Sequence, residues 1–156
     1  MILDMMGHGT FGQVAKCQNI KTGQFVAVKV IKNKPAYFQQ SMVEVKVVDT
    51  LNQRFDPDDK HHIIRLIESL IFRQHLCLVF ELLSINLYEL IKQNNFRGLS
   101  TNLVKVFTQQ IVNCLCVLQT AKIIHCDMKP ENILLKRYDR RSFPLSVLTT
   151  ALEIIA

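Results

Sequence analysis

Three short strings in this chain hold the residues best suited to chemistry. The richest is His125-Cys126-Asp127-Met128-Lys129-Pro130-Glu131-Asn132, which follows Ile123-Ile124. Its Asp127 and Asn132 stand in H-x-D-x-x-x-x-N spacing. An aspartate can accept a hydroxyl proton, an asparagine oxygen can hold Mg²⁺, and a nearby lysine such as Lys129 can steady a transferred phosphoryl group. Pro130 stiffens the loop between them. The second string, Val26-Ala27-Val28-Lys29, ends an apolar strand on a lysine. A lone strand lysine is ordinarily an edge or solvent residue. A cation in a strand core needs a carboxylate, and Glu44 on the next helix is the candidate. The third string is Gly7-His8-Gly9-Thr10-Phe11-Gly12-Gln13-Val14, a G-x-G-x-x-G-x-V pattern. Glycines there let a tight strand–turn–strand loop bring backbone N–H groups onto phosphate oxygens. Alone, the pattern fits a plain hairpin equally well. A dinucleotide fold needs a helix directly after it, and here a strand-like run follows. Lys29 comes 17 residues after Gly12, so two adjacent strands can hang it over the same phosphates.

The elements that must position these residues divide the chain in two. Residues 2–31 alternate β-type runs with Gly-bearing turns, and Gln24–Ile31 is the clearest strand after the Lys21-Thr22-Gly23 turn. Ile2-Leu3-Asp4 reads as barely a first strand. Pro35 marks a boundary. A helix is expected over 38–52, with Met42, Val45 and Val48 on one side and Glu44 and Lys46 on other faces. Strand-like runs follow at Ile63–Phe72 and Leu76–Phe80. Asn86–Asn94 reads as a short helix. Ser100 or Thr101 can cap a longer one to about Gln119. Its apolar stripe is Leu103, Phe107, Ile111, Leu115 and Leu118. A sheet-rich first half and a helix-rich second half predict an α+β chain with two lobes.

Composition narrows the class. The chain has 156 residues, about one domain's worth, and is 49% hydrophobic and 21% charged, which excludes a collagen-like or wholly disordered chain. The net charge of +6 favours acidic partners. The charge is spread out, however, and no basic stripe is interleaved with aromatics, which argues against nucleic acid. The densest cluster, Lys136, Arg137, Arg140 and Arg141, reads as a solvated face. No apolar run approaches the ~18 residues that span a bilayer. The N-terminus has no signal-like apolar core. The five cysteines have no framework spacing and read as buried thiols in a reducing compartment. The adjacent His61 and His62 beside Asp58 and Asp59 are poorly placed to converge on a metal. An intracellular protein of the cytoplasm or nucleus is expected.

Taken in order, the glycine loop, V-A-V-K and H-x-D-x-K-P-E-N resemble the signature set of a eukaryotic protein kinase. Ile124-His125-Cys126-Asp127, with Cys where most kinases have Arg, is similar to the dual-specificity tyrosine-regulated (DYRK) family of the CMGC group and its Yak-type relatives. So are Phe80–Tyr88 and Asn95–Leu99. The resemblance covers residues 2–136. It implies an antiparallel-sheet N-lobe over 1–83 and the first helices and catalytic loop of a C-lobe over 84–136, with 137–156 a tail outside the family. It implies a serine/threonine (dual-specificity) kinase that uses ATP and Mg²⁺ and acts on protein hydroxyls. Gly7, Gly9 and Gly12 would cover the ATP phosphates. Met6, Val14, Ala27 and Leu134 would sandwich adenine. Lys29, paired with Glu44, would contact the α/β-phosphates. Phe80 would be the gatekeeper, the Glu81 and Leu83 backbones would bond adenine, and Asn86 would lie near the ribose. Asp127 would be the catalytic base, Lys129 the phosphate-contacting lysine and Asn132 a Mg²⁺ ligand.

The sequence departs from the family after Asn132. The Asp-Phe-Gly expected about 13 to 15 residues on falls on Leu145, Ser146 and Val147. No glycine follows Gly98, so the motif occurs nowhere later in the chain. The expectation is therefore a truncated kinase fragment without an activation loop, hence without self-phosphorylation there, its tail a read-through, frameshift or splice-variant end. Metal charge stabilisation of ~4 kcal/mol, if lost, slows transfer about a thousandfold. A nucleotide-binding or scaffold fragment without catalysis is the alternative. The apolar tail Ser142–Ala156 is expected to cover part of the Leu103–Leu118 stripe.

Overall fold

Hairpin chemistry builds the sheet. In a computed structural model, which describes residues 1–136 and 148–150, β1 (Ile2–His8), β2 (Gly12–Gln18) and β3 (Phe25–Ile31) are antiparallel neighbours. The β2–β3 turn is held by Asn19, whose Oδ1 accepts from Lys21 N–H at 2.9 Å and Thr22 N–H at 3.3 Å. Gly23 closes it at φ +74, a left-handed position that favours glycine. β4 (Leu66–Phe72) and β5 (His75–Glu81) form a second hairpin through Arg73 and Gln74, both at positive φ, as a tight primed turn requires. The strand order is β1-β2-β3-β5-β4.

The chain divides into two compact units. One comprises Met1–Thr50 and Arg65–Leu82. It holds the five-stranded sheet and α1 (Pro35–Thr50). Pro35 opens the helix rather than standing before it, because its missing N–H would be unpaired in the first turn anyway. The buried face of α1 is Ser41, Glu44 and Val48, not the expected Met42, Val45 and Val48 line, of which only Val48 is fully buried. The pattern misleads because Glu44 occupies a core position that its ion pair makes tolerable. β1 is a full seven-residue strand rather than a stub, although every residue in it is exposed.

The other unit comprises Leu51–Ile64 and the described residues from Leu83 on. Leu51–Phe55 forms a π turn, closed by Asp56 N–H donating to Leu51 O at 2.8 Å. Ile63, expected in a strand, is fully buried in this unit instead, and β4 begins three residues later. α2 (Leu87–Gln93) is capped by Asn86, and α3 (Thr101–Thr120) by Ser100, whose Oγ accepts from Leu103 N–H at 3.3 Å. Leu87, Leu90, Phe107, Ile133 and Leu135 form a buried cluster, with Leu103 and Ile111 packed against it. Leu115 does not join them; it is exposed, while Cys114 is buried. Steps of four residues advance about 40° around a helix, so a 103–107–111–115 line drifts off the face. β6 (Ile133–Leu135) pairs with β7 (Leu148–Thr150).

Only Cys77 and Cys114 are buried; Cys17 is half-buried, and Cys116 and Cys126 are exposed. Burial pushes the Cys77 thiol up from its usual range. His61 Nδ1 lies 3.2 Å from Asn113 Oδ1, so this histidine is satisfied by an amide. Among the described residues no group of three or more His, Cys, Asp or Glu is placed to hold a metal. Nor is any described helix long and apolar enough to cross a membrane. The expectations for Arg137, Arg140 and Arg141, for Leu145–Val147 and for most of the 137–156 tail lie outside the described residues. Lys136, at the end of β6, pairs with Asp59.

Candidate active site

In the sheet-bearing unit, register brings several candidate residues to one face. Val14 stands opposite Lys29, and Ala27 opposite Phe80. Directly opposed residues project to the same side, and alternate residues of a strand share a side. Val14, Ala27, Lys29 and Phe80 therefore share one face of the sheet. Lys29 Nζ donates to Glu44 Oε1 at 2.9 Å and to Oε2 at 3.0 Å. The two side chains are only 15% and 11% exposed, so this pair is largely shielded from water. Met6 sits at the irregularity between the Met5–Ala15 and Gly7–Val14 pairs. Glu81 is locked to the β4 side, its N–H donating to Arg65 O at 3.1 Å and its Oε1 accepting from Arg65 N–H at 3.1 Å.

The three glycines of the loop are not alike. A Cβ on Gly12 would lie 2.1 Å from Val30 O, so the β2–β3 contact itself requires glycine there. A Cβ on Gly7 or Gly9 would meet nothing within 4 Å. Neither has a positive φ. The fold thus leaves open, uncovered backbone at both positions, which is what close approach of a phosphate needs. The residues present fit a nucleotide.

In the second unit the His125–Asn132 string is built from its anchors. Ile133 and Leu135 are buried in the apolar cluster. Leu135 N–H donates to Ile85 O at 3.0 Å, and Ser84 N–H to Leu135 O at 2.7 Å. Leu134 bridges Asn86, and Leu83 is buried beside this segment in sequence. Asn86 Oδ1 is committed to the α2 cap, accepting from Glu89 N–H at 2.8 Å, which leaves its Nδ2 as a donor. Pro130–Asn132 forms a single 3₁₀ turn with Pro in its first position. That turn aims Asn132 back at Asp127. Its Nδ2 donates to Asp127 O and to Asp127 Oδ2, both at 2.9 Å. Lys129 Nζ donates to the same Oδ2 at 2.6 Å.

Two oxygens are left over. No described residue bonds to Asp127 Oδ1 or Asn132 Oδ1, while the other atoms of both groups are tied down. A fixed carboxylate oxygen suits proton acceptance, and a fixed amide oxygen suits a hard cation such as Mg²⁺ that takes its remaining ligands from phosphates and water. The Lys129 ammonium beside Asp127, helped by the Asn132 amide and His125, holds the Asp127 carboxyl below the usual carboxylate range. Sequence reasoning gave no role to His125. It is buried, and its Nδ1 accepts from Asp127 N–H at 3.2 Å, so it sets the backbone of the loop. Cys126 between them takes φ +65, a strained position for a non-glycine residue.

The Asp127 shift has a testable sign. A depressed carboxyl contributes stability above its unfolded value, near 3.9, and loses it as pH falls through the lower native value. Lys129→Met is expected to raise the Asp127 titration midpoint towards the ordinary range. Carboxyl-carbon NMR titration of both proteins would show it, and identical midpoints would remove Lys129 as the cause.

Residues 1–145 match the protein kinase domain family. The chain is 61% identical over 136 residues to serine/threonine-protein kinase ppk15 of Schizosaccharomyces pombe, covering 87% of this chain and 26% of that protein. It is 56% identical over 140 residues to dual specificity protein kinase YAK1 of Saccharomyces cerevisiae, covering 90% and 17%. It is 46% identical over 134 residues to dual specificity tyrosine-phosphorylation-regulated kinase 4 of Homo sapiens, covering 86% and 26%. The chain belongs to the protein kinase family, in the DYRK/Yak branch of its CMGC group. Its architecture is the antiparallel N-lobe sheet with part of the helical C-lobe. Kinases of this family generally use ATP and Mg²⁺. The chain spans about a quarter or less of the length of these relatives.

Proposed function

We propose that this chain carries the ATP-binding and phosphate-transfer residues of a serine/threonine (dual-specificity) kinase of the DYRK/Yak type, whose substrates are protein hydroxyls. The reading rests chiefly on one observation. The catalytic loop holds Asp127 and Asn132 by every polar side-chain atom except one oxygen each. Asp127 Oδ1 accepts the proton of an incoming serine or threonine hydroxyl. Lys129 steadies the transferred group and keeps Asp127 ionised. Asn132 Oδ1 is the ligand for Mg²⁺, which when bound neutralises charge on the phosphates. Lys29, oriented by Glu44, contacts the α/β-phosphates, and Gly7, Gly9 and Gly12 cover them. From the sheet-bearing unit, Met6, Val14 and Ala27 serve adenine beside Phe80 and the Glu81 backbone bonds it; from the second unit, Leu134 and the Leu83 backbone serve the same group. Asn86 Nδ2 serves the ribose. Residues 1–83 act as N-lobe and 84–136 as the C-lobe portion, and the protein works inside the cell, in cytoplasm or nucleus.

A second reading has its own support. These 156 residues contain no Asp-Phe-Gly, and Leu145, Ser146 and Val147 stand where it is expected, which favours nucleotide binding without efficient transfer. A thermal melt of the 156-residue chain with and without Mg-ATP decides whether either stands. Ligand at 100 times its Kd adds about 2.7 kcal/mol, or roughly 5–10 °C for a chain of this size. The rise is expected in the wild type and not in Lys29→Ala. Absence of a rise in the wild type would refute nucleotide binding. Transfer to a basic protein, lost in Asp127→Asn, supports the kinase; binding without transfer supports the second reading.

A further inference from the structure

We infer that Lys32, assisted by Tyr37, is a positioning residue that turns two backbone N–H groups of the glycine loop towards the nucleotide phosphates. The loop lies between β1 and β2, and all of residues 1–10 are exposed, so packing alone holds little of it. Lys32 grips its tip. Its Nζ donates to Thr10 O at 2.9 Å and to Gly9 O at 3.3 Å, and its own N–H donates to Phe11 O at 2.9 Å. Three successive carbonyls of the tip thus turn to one residue. Gly9 N–H donating to Gly12 O at 2.9 Å closes the turn from inside.

The peptide unit converts this grip into direction. In a trans peptide the C=O of one residue and the N–H of the next point opposite ways, and the chain has no cis peptide. With the Gly9 and Thr10 carbonyls on the ammonium, the N–H groups of Thr10 and Phe11 point away from it. Neither donates to any described residue. Two consecutive outward N–H groups form an anion-binding concavity. The Lys32 charge cannot fill that concavity, because it sits on the carbonyl side. The Phe11 ring secures the other flank. It meets Tyr37 of α1 edge-on, with centroids 5.4 Å apart and planes at 85°. Lys34 Nζ lies 5.7 Å from the Tyr37 ring and holds it in turn.

The effect on nucleotide rests on the ATP binding proposed above; the order of the empty loop does not. The test is therefore made in two parts on the 156-residue chain and Lys32→Met. Without nucleotide, ¹⁵N relaxation should give Thr10 and Phe11 order parameters near the rigid ~0.85 in wild type and below about 0.6 in the variant. With nucleotide, ATP affinity should fall about tenfold, the factor expected when the loop holds its donor-presenting form about a tenth of the time. Adenosine affinity and the melting temperature of the free chain should not change, since Lys32 is exposed and the effect acts on phosphate alone. Tyr37→Ala should loosen Phe11 in the same way, and Tyr37→Phe, which keeps the ring, should not. Unchanged order parameters in Lys32→Met, or equal weakening of ATP and adenosine, would overturn the inference. A wild type that binds no ATP but loses loop order in Lys32→Met would refute the kinase reading and uphold the grip.

Discussion

Glu44→Ala is expected to destabilise the sheet-bearing unit by about 3–5 kcal/mol, the cost of leaving a shielded ammonium without its partner. Lys29 and Glu44 are joined at 2.9 and 3.0 Å and are 15% and 11% exposed. Solvent screening therefore discounts the pair little, unlike Lys60–Asp58, whose side chains are mostly in water. The pair as a whole is worth far less than either single loss suggests, because both charges had to leave water to form it. Lys29→Met combined with Glu44→Leu should accordingly restore most of the stability lost in Glu44→Ala. Urea midpoints of Lys29→Met, Glu44→Leu and their combination close this cycle. Additive losses would show that the two side chains are not coupled. The restored double variant should still fail to bind Mg-ATP, because Lys29 serves the phosphates in the proposed function. Stability and binding would then separate at one site.

Gly12→Val should cost about 3 kcal/mol, the upper end of the overpacking range. A single Cβ would already stand 2.1 Å from Val30 O, 2.9 Å from Val30 C and 3.2 Å from Ile31 Cα. These are backbone atoms of β3 and cannot swing aside as a side chain would. The strands must part at the Gly12–Ile31 pair. For a chain of this length the melting temperature should drop by roughly 6–12 °C. Gly9→Ala is the matched control. Its Cβ meets nothing within 4 Å. Stability of the free chain should stay level or rise by up to about 1 kcal/mol, since alanine has less unfolded freedom to lose. Its ATP affinity should fall. Equal melting losses in both variants would mean that neither glycine is set apart by its surroundings.

Local rules made much of the fold legible in advance. Lys21-Thr22-Gly23 predicts the β2–β3 turn because the signal acts within a few residues, and the structure adds the Asn19 side chain that holds it. The cap at Ser100 is readable for the same reason, whereas Asn86, read as the first residue of its helix, is in fact its cap. Periodicity did less well where tertiary contacts competed. The buried face of α1 runs through Glu44, and apolar counting had set Glu44 on another face. Leu115 was assigned to the α3 stripe by four-residue spacing, yet the helical pitch carries it into solvent. β1 looked like a stub because exposed Ile2, Leu3, Met5 and Met6 show no alternation. Its pairing comes from hydrogen bonds to β2, which no side-chain pattern announces.

The candidate site divides along the same line. The sequence by itself determined the chemical inventory and the family, because motif identity and spacing do not depend on packing. It supplied Asp127, Lys129 and Asn132 on one loop, Lys29 at a strand end, and glycines at three loop positions. Tertiary structure alone decided which atoms remain available. Strand register put Val14, Ala27, Lys29 and Phe80 on one face, since side-chain direction in a sheet follows the partner strand. Hydrogen bonding left one oxygen each on Asp127 and Asn132. Close backbone approach made Gly12 a requirement of the sheet and left Gly7 and Gly9 open. The reason is common to all three. Which atoms are satisfied is set by neighbours distant in sequence, and those neighbours meet only when the chain folds.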